Sequence, residues 1–238
     1  MPLTNSEIKF VKSLHLKKNR LENNLFLVEG EKMIHELLQQ NKYEISDLYG
    51  IEEIEGADVQ LITKKELERM SSLKNPNKFL AVVSNKIKPS SEPKNKVLMV
   101  DLVNDPGNLG TIIRTADWFG ISDIILNQNS VDVYNPKVVQ STMGAIFRVN
   151  VEYSNLFDKS MELKEYGYHF YGAFMEGTDF NSVDFEEKSV LVMGSESHGI
   201  SSELSALLDD RITIPRKGDS ESLNLAVATG ILLAKFSN

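Results

Sequence analysis

An α/β fold in two parts is what this sequence predicts: a small mixed domain, then a domain built on a parallel sheet. Three observations carry the reading. From residue 97 onward, apolar strand-like runs alternate with helix-like stretches. The segment SNKIKPSSEPKNK (84–96), with its prolines, serines and lysines, has the composition of a linker. The charge balance changes across that segment: residues 1–96 hold 16 Lys+Arg and 14 Asp+Glu, whereas residues 97–238 hold 10 and 20. The expected domains are therefore 1–84 and 97–238, joined by a linker over 85–96.

The elements follow in order. Thr4-Asn-Ser-Glu7 is a capping box, and Ile8, Val11 and Leu14 continue it at helical spacing. NNLFLVEG reads as a short strand ending in a turn. Glu31 to Gln40 reads as a helix with Met33, Ile34, Leu37 and Leu38 on one face. DLYGI, VQLIT and KFLAVVS are strand-like, and Lys64 to Met70 is a short helix. In the second part the expected strands are VLMVDLV (97–103), DIILN (123–127), AIFRVNV (145–151), HFYGAF (169–174), SVLVMGS (189–195) and RITIP (211–215). Helices are expected over 108–119, 135–143, 155–166, 201–208 and 222–236. Such alternation implies a parallel sheet covered on both faces, with ligands at the carboxyl ends of its strands.

Composition narrows the function classes. With no cysteine, disulfides and thiolate metal sites are excluded, and the four histidines are scattered without ligand spacing, so no metal is expected. No apolar run approaches the roughly 20 residues of a membrane span, and the N-terminus lacks the apolar core of a signal peptide. No membrane partner is expected, and the expected location is cytoplasmic. The net charge of −8 argues against a polyanionic partner, but its distribution does not. Lys9, Lys12, Lys17, Lys18 and Arg20 crowd the first 20 residues against one acid, Glu7. A local basic patch of this kind matters more to a phosphate backbone than the global sum. The competing reading is a solvated helix face.

Three loops after strands are richer in glycine and polar residues than plain connections need. In NDPGNLGTIIR, Asn108 is placed to cap a helix, Gly107 and Gly110 allow close approach of a ligand, and Arg114 stands among isoleucines. The plain alternative is a capped helix with a snorkelling arginine. In MGSESHGIS (193–201), a strand runs into Glu196 and His198, which suit acid–base work; a helix-entry turn is the alternative. In IPRKGDSESLNLAVATGILLAKF (214–236), a polar loop enters an Ala-rich helix, which equally fits a terminal packing helix. No G-x-G-x-x-G follows a strand, and there is neither a Walker loop nor a nucleophile elbow.

Together and in this order, the three loops resemble the SpoU/TrmH family of the SPOUT superfamily of RNA methyltransferases. The first motif is Asn108-Leu-Gly110-Thr-Ile-Ile-Arg114-Thr-Ala-Asp117. The second is Met193-Gly194-Ser195-Glu196, closing with Gly199. The third is Ile214-Pro215 followed by Ser222-Leu223-Asn224-Leu-Ala-Val-Ala. Lys17-Lys18-Asn-Arg20 and Phe26-Leu-Val-Glu29-Gly30-Glu31 resemble the substrate-binding domain of many members, itself similar to ribosomal proteins that bind kinked RNA. Two stretches depart from the family pattern: Ser197-His198 in the second motif, and the residues before Phe79, which lack a Gln-Gly pair.

The resemblance implies transfer of a methyl group from S-adenosylmethionine to a ribose 2′-hydroxyl of structured RNA, with rRNA ahead of tRNA. It implies a deep trefoil knot in the second domain and a homodimer whose active site draws on both subunits. It places the cofactor against Met193, Gly194, Ile214 and Leu223. The catalytic set it implies is Asn108, Arg114, Glu196, Ser222 and Asn224. RNA would be gripped by Lys12, Lys17, Lys18 and Arg20, helped by the linker lysines Lys86, Lys88, Lys94 and Lys96. A ribose hydroxyl is a poor nucleophile, so the resemblance gives an arginine among isoleucines a use: it helps to deprotonate the hydroxyl, with the adjacent phosphate, or its charge stabilises the oxygen as the proton leaves. The rival readings are an RNA-binding or ribosome-assembly protein that keeps the fold without catalysis, a methyltransferase acting on a base, and an α/β enzyme with a small substrate.

Overall fold

Two capping boxes set the helices of the first part of the chain. In the computed structural model, which describes residues 3–40, 42–86, 94–195 and 197–238, Thr4 accepts from the Glu7 amide while Glu7 accepts from the Thr4 amide, opening α1 (Asn5–Ser13). A second helix, α2 (Lys17–Asn23), follows. It has no apolar stripe, since Leu21 is exposed and Arg20 is its buried residue, so hydrophobic periodicity does not reveal it. Then come β1 (Leu25–Glu29), α3 (Glu31–Leu38), β2 (Ile45–Gly50), β3 (Gln60–Leu61), α4 (Lys64–Met70) and β4 (Phe79–Ser84). Thr63 and Glu66 form the same reciprocal box at α4.

These strands form one sheet in the order β1-β4-β2-β3, antiparallel except for the β2–β3 pair. Side-chain alternation divides its two faces. Leu27, Leu80 and Val82 join Ile8, Val11, Leu67 and Met70 of α1 and α4 in one core. The chain resolves into two compact units, and this sheet belongs to the first, Met1–Pro89 with Asp132–Arg148.

The second unit begins with β5 (Lys96–Val100), α5 (Pro106–Trp118) and β6 (Asp123–Asn127). The stretch 132–148 that follows lies in the second domain by sequence but is part of the first compact unit. Its contacts explain why. Asp132 accepts from Arg20, and Tyr134 lies 4.5 Å from Phe26 between ring centroids. Phe147 meets Tyr43 at 5.8 Å, and Arg148 pairs with Glu36 at 2.8 Å. The stretch holds α6 (Pro136–Thr142), entered through Asn135 and Pro136.

Here one expectation is corrected. Residues 145–151 are not a strand: Ala145–Phe147 form a 3₁₀ turn, and β7 runs over Asn150–Ser154. Met143 and Gly144 both take positive φ, which turns the chain so that Ala145, Ile146 and Phe147 are buried in succession. A continuous apolar run therefore looked like a strand.

The second unit continues with α7 (Leu156–Glu165), β8 (His169–Asp179), β9 (Ser189–Met193), α8 (Ser202–Ser205), β10 (Asp210–Thr213) and α9 (Leu225–Phe236). Its six strands are all parallel, in the order β10-β8-β9-β5-β6-β7. β5 and β9 are adjacent at the centre and buried on both faces, which is why VLMV and VLVM read as unbroken apolar runs. From β5 the order proceeds through β6 to β7 on one side, and through β9 and β8 to β10 on the other. The reversal between β5 and β9 is the place where an open α/β sheet offers a crevice. Three helix limits differ from expectation: α5 starts at Pro106, α8 has only four residues, and α9 starts at Leu225 after an irregular 222–224.

Candidate active site

The three glycine-rich and polar loops leave the carboxyl ends of β5, β9 and β10. The first opens α5, but its cap is Asp105, whose carboxylate accepts from the Asn108 amide at 2.8 Å. This corrects the expectation that Asn108 caps the helix, and it frees the Asn108 side chain for another contact. Asn224 Nδ2 donates to Asn108 Oδ1 at 3.0 Å. Asn224 Oδ1 in turn accepts from the amides of Ala226 and Val227, capping α9. One carboxamide thus caps one helix and ties it to the first turn of another.

Arg114 lies two turns into α5, on the exposed side, while Ile112 and Ile113 are fully buried. The question raised by its apolar neighbours is settled by helix geometry: adjacent residues point some 100° apart, so the charge stays in water. On the same side, Trp118 is 84% exposed.

The second loop folds back on itself. Ser195 and Gly199 exchange both backbone hydrogen bonds, at 2.8 and 3.0 Å. Gly199 takes φ +67 to make this turn, and a Cβ on Gly194 would come within 2.3 Å of the Gly199 carbonyl carbon. Asp101, nearly buried at the end of β5, anchors the loop's exit by accepting from the Ser201 amide at 2.6 Å. His198 is exposed, with Nδ1 2.7 Å from the Ser197 hydroxyl. Glu196 lies outside the described residues.

The second and third loops wall a cavity of about 520 Å³. Met193, Gly194, Ile214 and Leu223 all line it, together with Ser222. Asn108, Arg114 and Asn224 are not in that wall. The cavity also takes in Ala173, Phe174 and Met175 of β8, which the sequence did not single out. Their signal lies in register: Arg211 pairs with Gly172 but the next residue, Ile212, pairs with Thr178, so residues 173–177 are extra residues in the β8 side of the ladder. A size in the ligand range, apolar walls from Met193, Ile212, Leu225 and Leu232, and lining glycines and serines such as Gly194, Gly199 and Ser222 fit a nucleoside carrying an amino-acid chain, which is the shape of S-adenosylmethionine.

Comparison with known proteins decides the family. Residues 95–234 match the SpoU rRNA Methylase family, and residues 5–81 match the MRM3-like substrate binding domain. The chain belongs to the SpoU family. It is similar to the 23S rRNA (guanosine(2553)-2′-O)-methyltransferase RlmP of Bacillus subtilis, at 33% identity over 96% of this chain and 95% of that one. Among solved structures it is similar to an RNA methyltransferase of the TrmH family from Porphyromonas gingivalis, with TM-score 0.89 and 38% identity over 98% of each chain. It is also similar to the AdoMet-bound rRNA methyltransferase from Sinorhizobium meliloti, with TM-score 0.90 and 30% identity over 99% of this chain and 97% of that one.

The basic residues of the first unit separate into two groups. Lys12, Lys17 and Lys18 are exposed. Arg20 is not: it is 2% exposed, its guanidinium donates to Asp132 and to the Leu14 and His15 carbonyls, and this corrects its assignment to an RNA-gripping face. Of the linker lysines, Lys86 and Lys94 are exposed and Lys88 lies outside the described residues. Lys96 belongs to β5, donates to the Glu186 carbonyl and sits 4.7 Å over the Phe236 ring, so it too is engaged within the fold. Burial lowers its pKa below the ordinary lysine value.

Proposed function

We propose that this SpoU-family protein methylates a ribose 2′-hydroxyl of RNA, using S-adenosylmethionine, and that its substrate is rRNA ahead of tRNA. One observation carries the reading: the cavity walled by the family's second and third motifs, with the Asn224–Asn108 bond joining the third motif to the first. The similarity to a 23S rRNA 2′-O-methyltransferase along nearly the whole chain supports the choice of RNA and of atom.

When bound, the cofactor supplies a methyl carbon already activated by a sulfonium, so no metal is required. The chain's part is to place the hydroxyl in line and to hold charge where it develops. For the 2′-oxygen to accept that methyl group its proton would have to leave, so the chain's residues act on that oxygen. Arg114 stabilises the charge on that oxygen. Arginine resists deprotonation, so it acts as an electrostatic partner and the proton passes to water or to the neighbouring phosphate. Asn108, fixed by Asn224, orients the nucleotide, Ser222 shapes the cavity rim, and Glu196 belongs to the same set. Met193, Gly194, Ile214 and Leu223, which line the cavity, would hold the cofactor.

The first domain, 1–84, selects a folded RNA, with Lys12, Lys17 and Lys18 meeting its phosphates; the linker runs from 85 up to β5, and the second domain, apart from the 132–148 stretch that belongs to the first compact unit, carries the chemistry. The protein acts in the cytoplasm as a homodimer, with the second domain knotted as in the rest of its family. The exposure of Trp118 at 84% and of Val227 at 51%, on two helices that pack on one another, supports a partner subunit over that face. Among the described residues no helix is long and apolar enough to cross a membrane. The test is methyl transfer from labelled cofactor to unmodified RNA: a labelled 2′-O-methylnucleoside is expected, whereas a labelled base, or RNA binding without label, refutes the reading.

A further inference from the structure

Residues 97–238 carry twice as many acids as bases, 20 against 10, yet the proposed substrate is a polyanion. It needs cations not already engaged. Lys159 faces Glu152 and Glu162, and Lys164 holds Asp209. Arg211 lies over the Phe174 ring, Lys188 lies over the Tyr168 ring, and Lys235 donates to the Asn181 carbonyl. Lys137 and Arg148 fall in the first compact unit. Arg114, Arg216 and Lys217 remain, all three exposed; Arg216 makes one long bond, 3.4 Å to the Ser220 carbonyl.

Arg216 and Lys217 are also, among the described residues, the only charged side chains lining the 520 Å³ cavity. Their loop sorts its charges. Gly218, Ser220 and Ser222 line the cavity along with the two cations, while the acids between them, Asp219 and Glu221, do not. A loop of zero net charge thereby presents a positive side to the cavity mouth.

We propose that Arg216 and Lys217 bind a phosphodiester of the RNA strand at that mouth, beside the ribose that is methylated. The proposal rests on reading the cavity as the cofactor site. The same chemistry, an anionic oxygen, also occurs in the cofactor's carboxylate. That source is disfavoured by charge: S-adenosylmethionine carries a sulfonium and an ammonium against one carboxylate, so two adjacent cations repel it as a whole. An RNA strand arrives from solvent with a net negative charge, and its contacts release counterions. A guanidinium also binds two phosphate oxygens at once.

The test uses the full-length protein, an unmodified 23S rRNA transcript and S-adenosylmethionine. RNA affinity is measured by filter binding over a range of KCl, and cofactor affinity by calorimetry without RNA. R216Q/K217Q is expected to weaken RNA binding about tenfold at low salt and to flatten the slope of log K against log salt by about 1, from roughly 0.7 per phosphate contact on a single strand. Cofactor affinity is expected to stay within twofold, which also reports a folded cavity. R216K/K217R keeps the charge and is expected to keep the slope. Loss of cofactor affinity with an unchanged RNA slope would overturn the proposal in favour of a carboxylate contact. No change in either would overturn it outright. Methyl transfer by the unaltered protein is scored separately: if it transfers methyl while the slope is unmoved, this inference fails and the function stands. If it transfers none while the slope still flattens, the function fails and the RNA contact stands.

Discussion

Asn224 Nδ2 donates to Asn108 Oδ1 across 3.0 Å, and the same side chain caps α9 with its oxygen. The two roles are chemically separable. Asn224→Asp keeps an acceptor for the cap and loses the donor to Asn108; Asn224→Ala loses both. Asn224→Ala is expected to lower stability by about 1 kcal/mol, the usual worth of such a cap, and Asn224→Asp to preserve most of it. Both are expected to lose methyl transfer, because the Asn224–Asn108 bond is lost in each. Thermal melts set beside initial rates check the split, and an Asn224→Asp variant of full activity would remove the positioning role.

Arg114 stands exposed, with Ile112 and Ile113 buried beside it. Arg114→Ala is expected to reduce kcat by about 10²–10³, the loss typical of one donor that stabilises developing charge, with cofactor affinity unchanged. Stability is expected to move little, since an exposed side chain away from the core rarely contributes more than about 0.5 kcal/mol.

Gly194 has no room for a side chain. Its Cβ would sit 2.3 Å from the Gly199 carbonyl carbon, which is backbone and cannot swing aside. Gly194→Ala is expected to spread the Ser195–Gly199 pair, cost about 1–3 kcal/mol as overpacking does, and weaken cofactor binding at least tenfold. Calorimetry with S-adenosylmethionine measures it directly.

These three positions show what was legible in the sequence. The parallel sheet was, because strands buried on both faces read as apolar runs. The loops were, because their glycines and amides follow strands in a fixed order. The partner of Asn108 was not, since a hydrogen bond spanning 116 residues leaves no local trace. The buried fate of Arg20 was equally hidden. Its neighbours Lys17 and Lys18 made it look like one more surface cation, and only the fold brings Asp132 to it. The bulge of β8 that brings Phe174 to the cavity depends on pairing register, which spacing within one strand does not encode.

The two classes of N-terminal cation are expected to behave differently. Lys12→Gln, Lys17→Gln and Lys18→Gln together are expected to weaken RNA binding and flatten its salt dependence by about 2–3, at about 0.7–0.9 per phosphate contact. Arg20→Met is expected to cost about 3 kcal/mol, because it strands a largely buried carboxylate whose partner lay 2.6 Å away. Filter binding and urea denaturation separate these outcomes.

Acid stability has a marker at Asp209. Burial raises its pKa, but the Lys164 ammonium and the Phe170 amide outweigh this and hold it below the ordinary value. A carboxyl with a depressed pKa stabilises the fold above its unfolded pKa, near 3.9, and that share is lost as pH falls through the folded value. Asp209→Asn is therefore expected to be less stable than the unaltered protein at neutral pH, with the gap closing below about pH 4. Melting temperatures across that range check the sign.

The most direct measurement is the product itself. The purified protein is incubated with S-adenosylmethionine labelled on the methyl and with unmodified total RNA; the RNA is then digested and the labelled nucleoside identified. A 2′-O-methylated nucleoside, formed far more slowly when Arg114→Ala replaces the unaltered protein, is the expected result. Label on a base, or no label in RNA while the cofactor remains bound, would contradict the assignment of this cavity to ribose methylation.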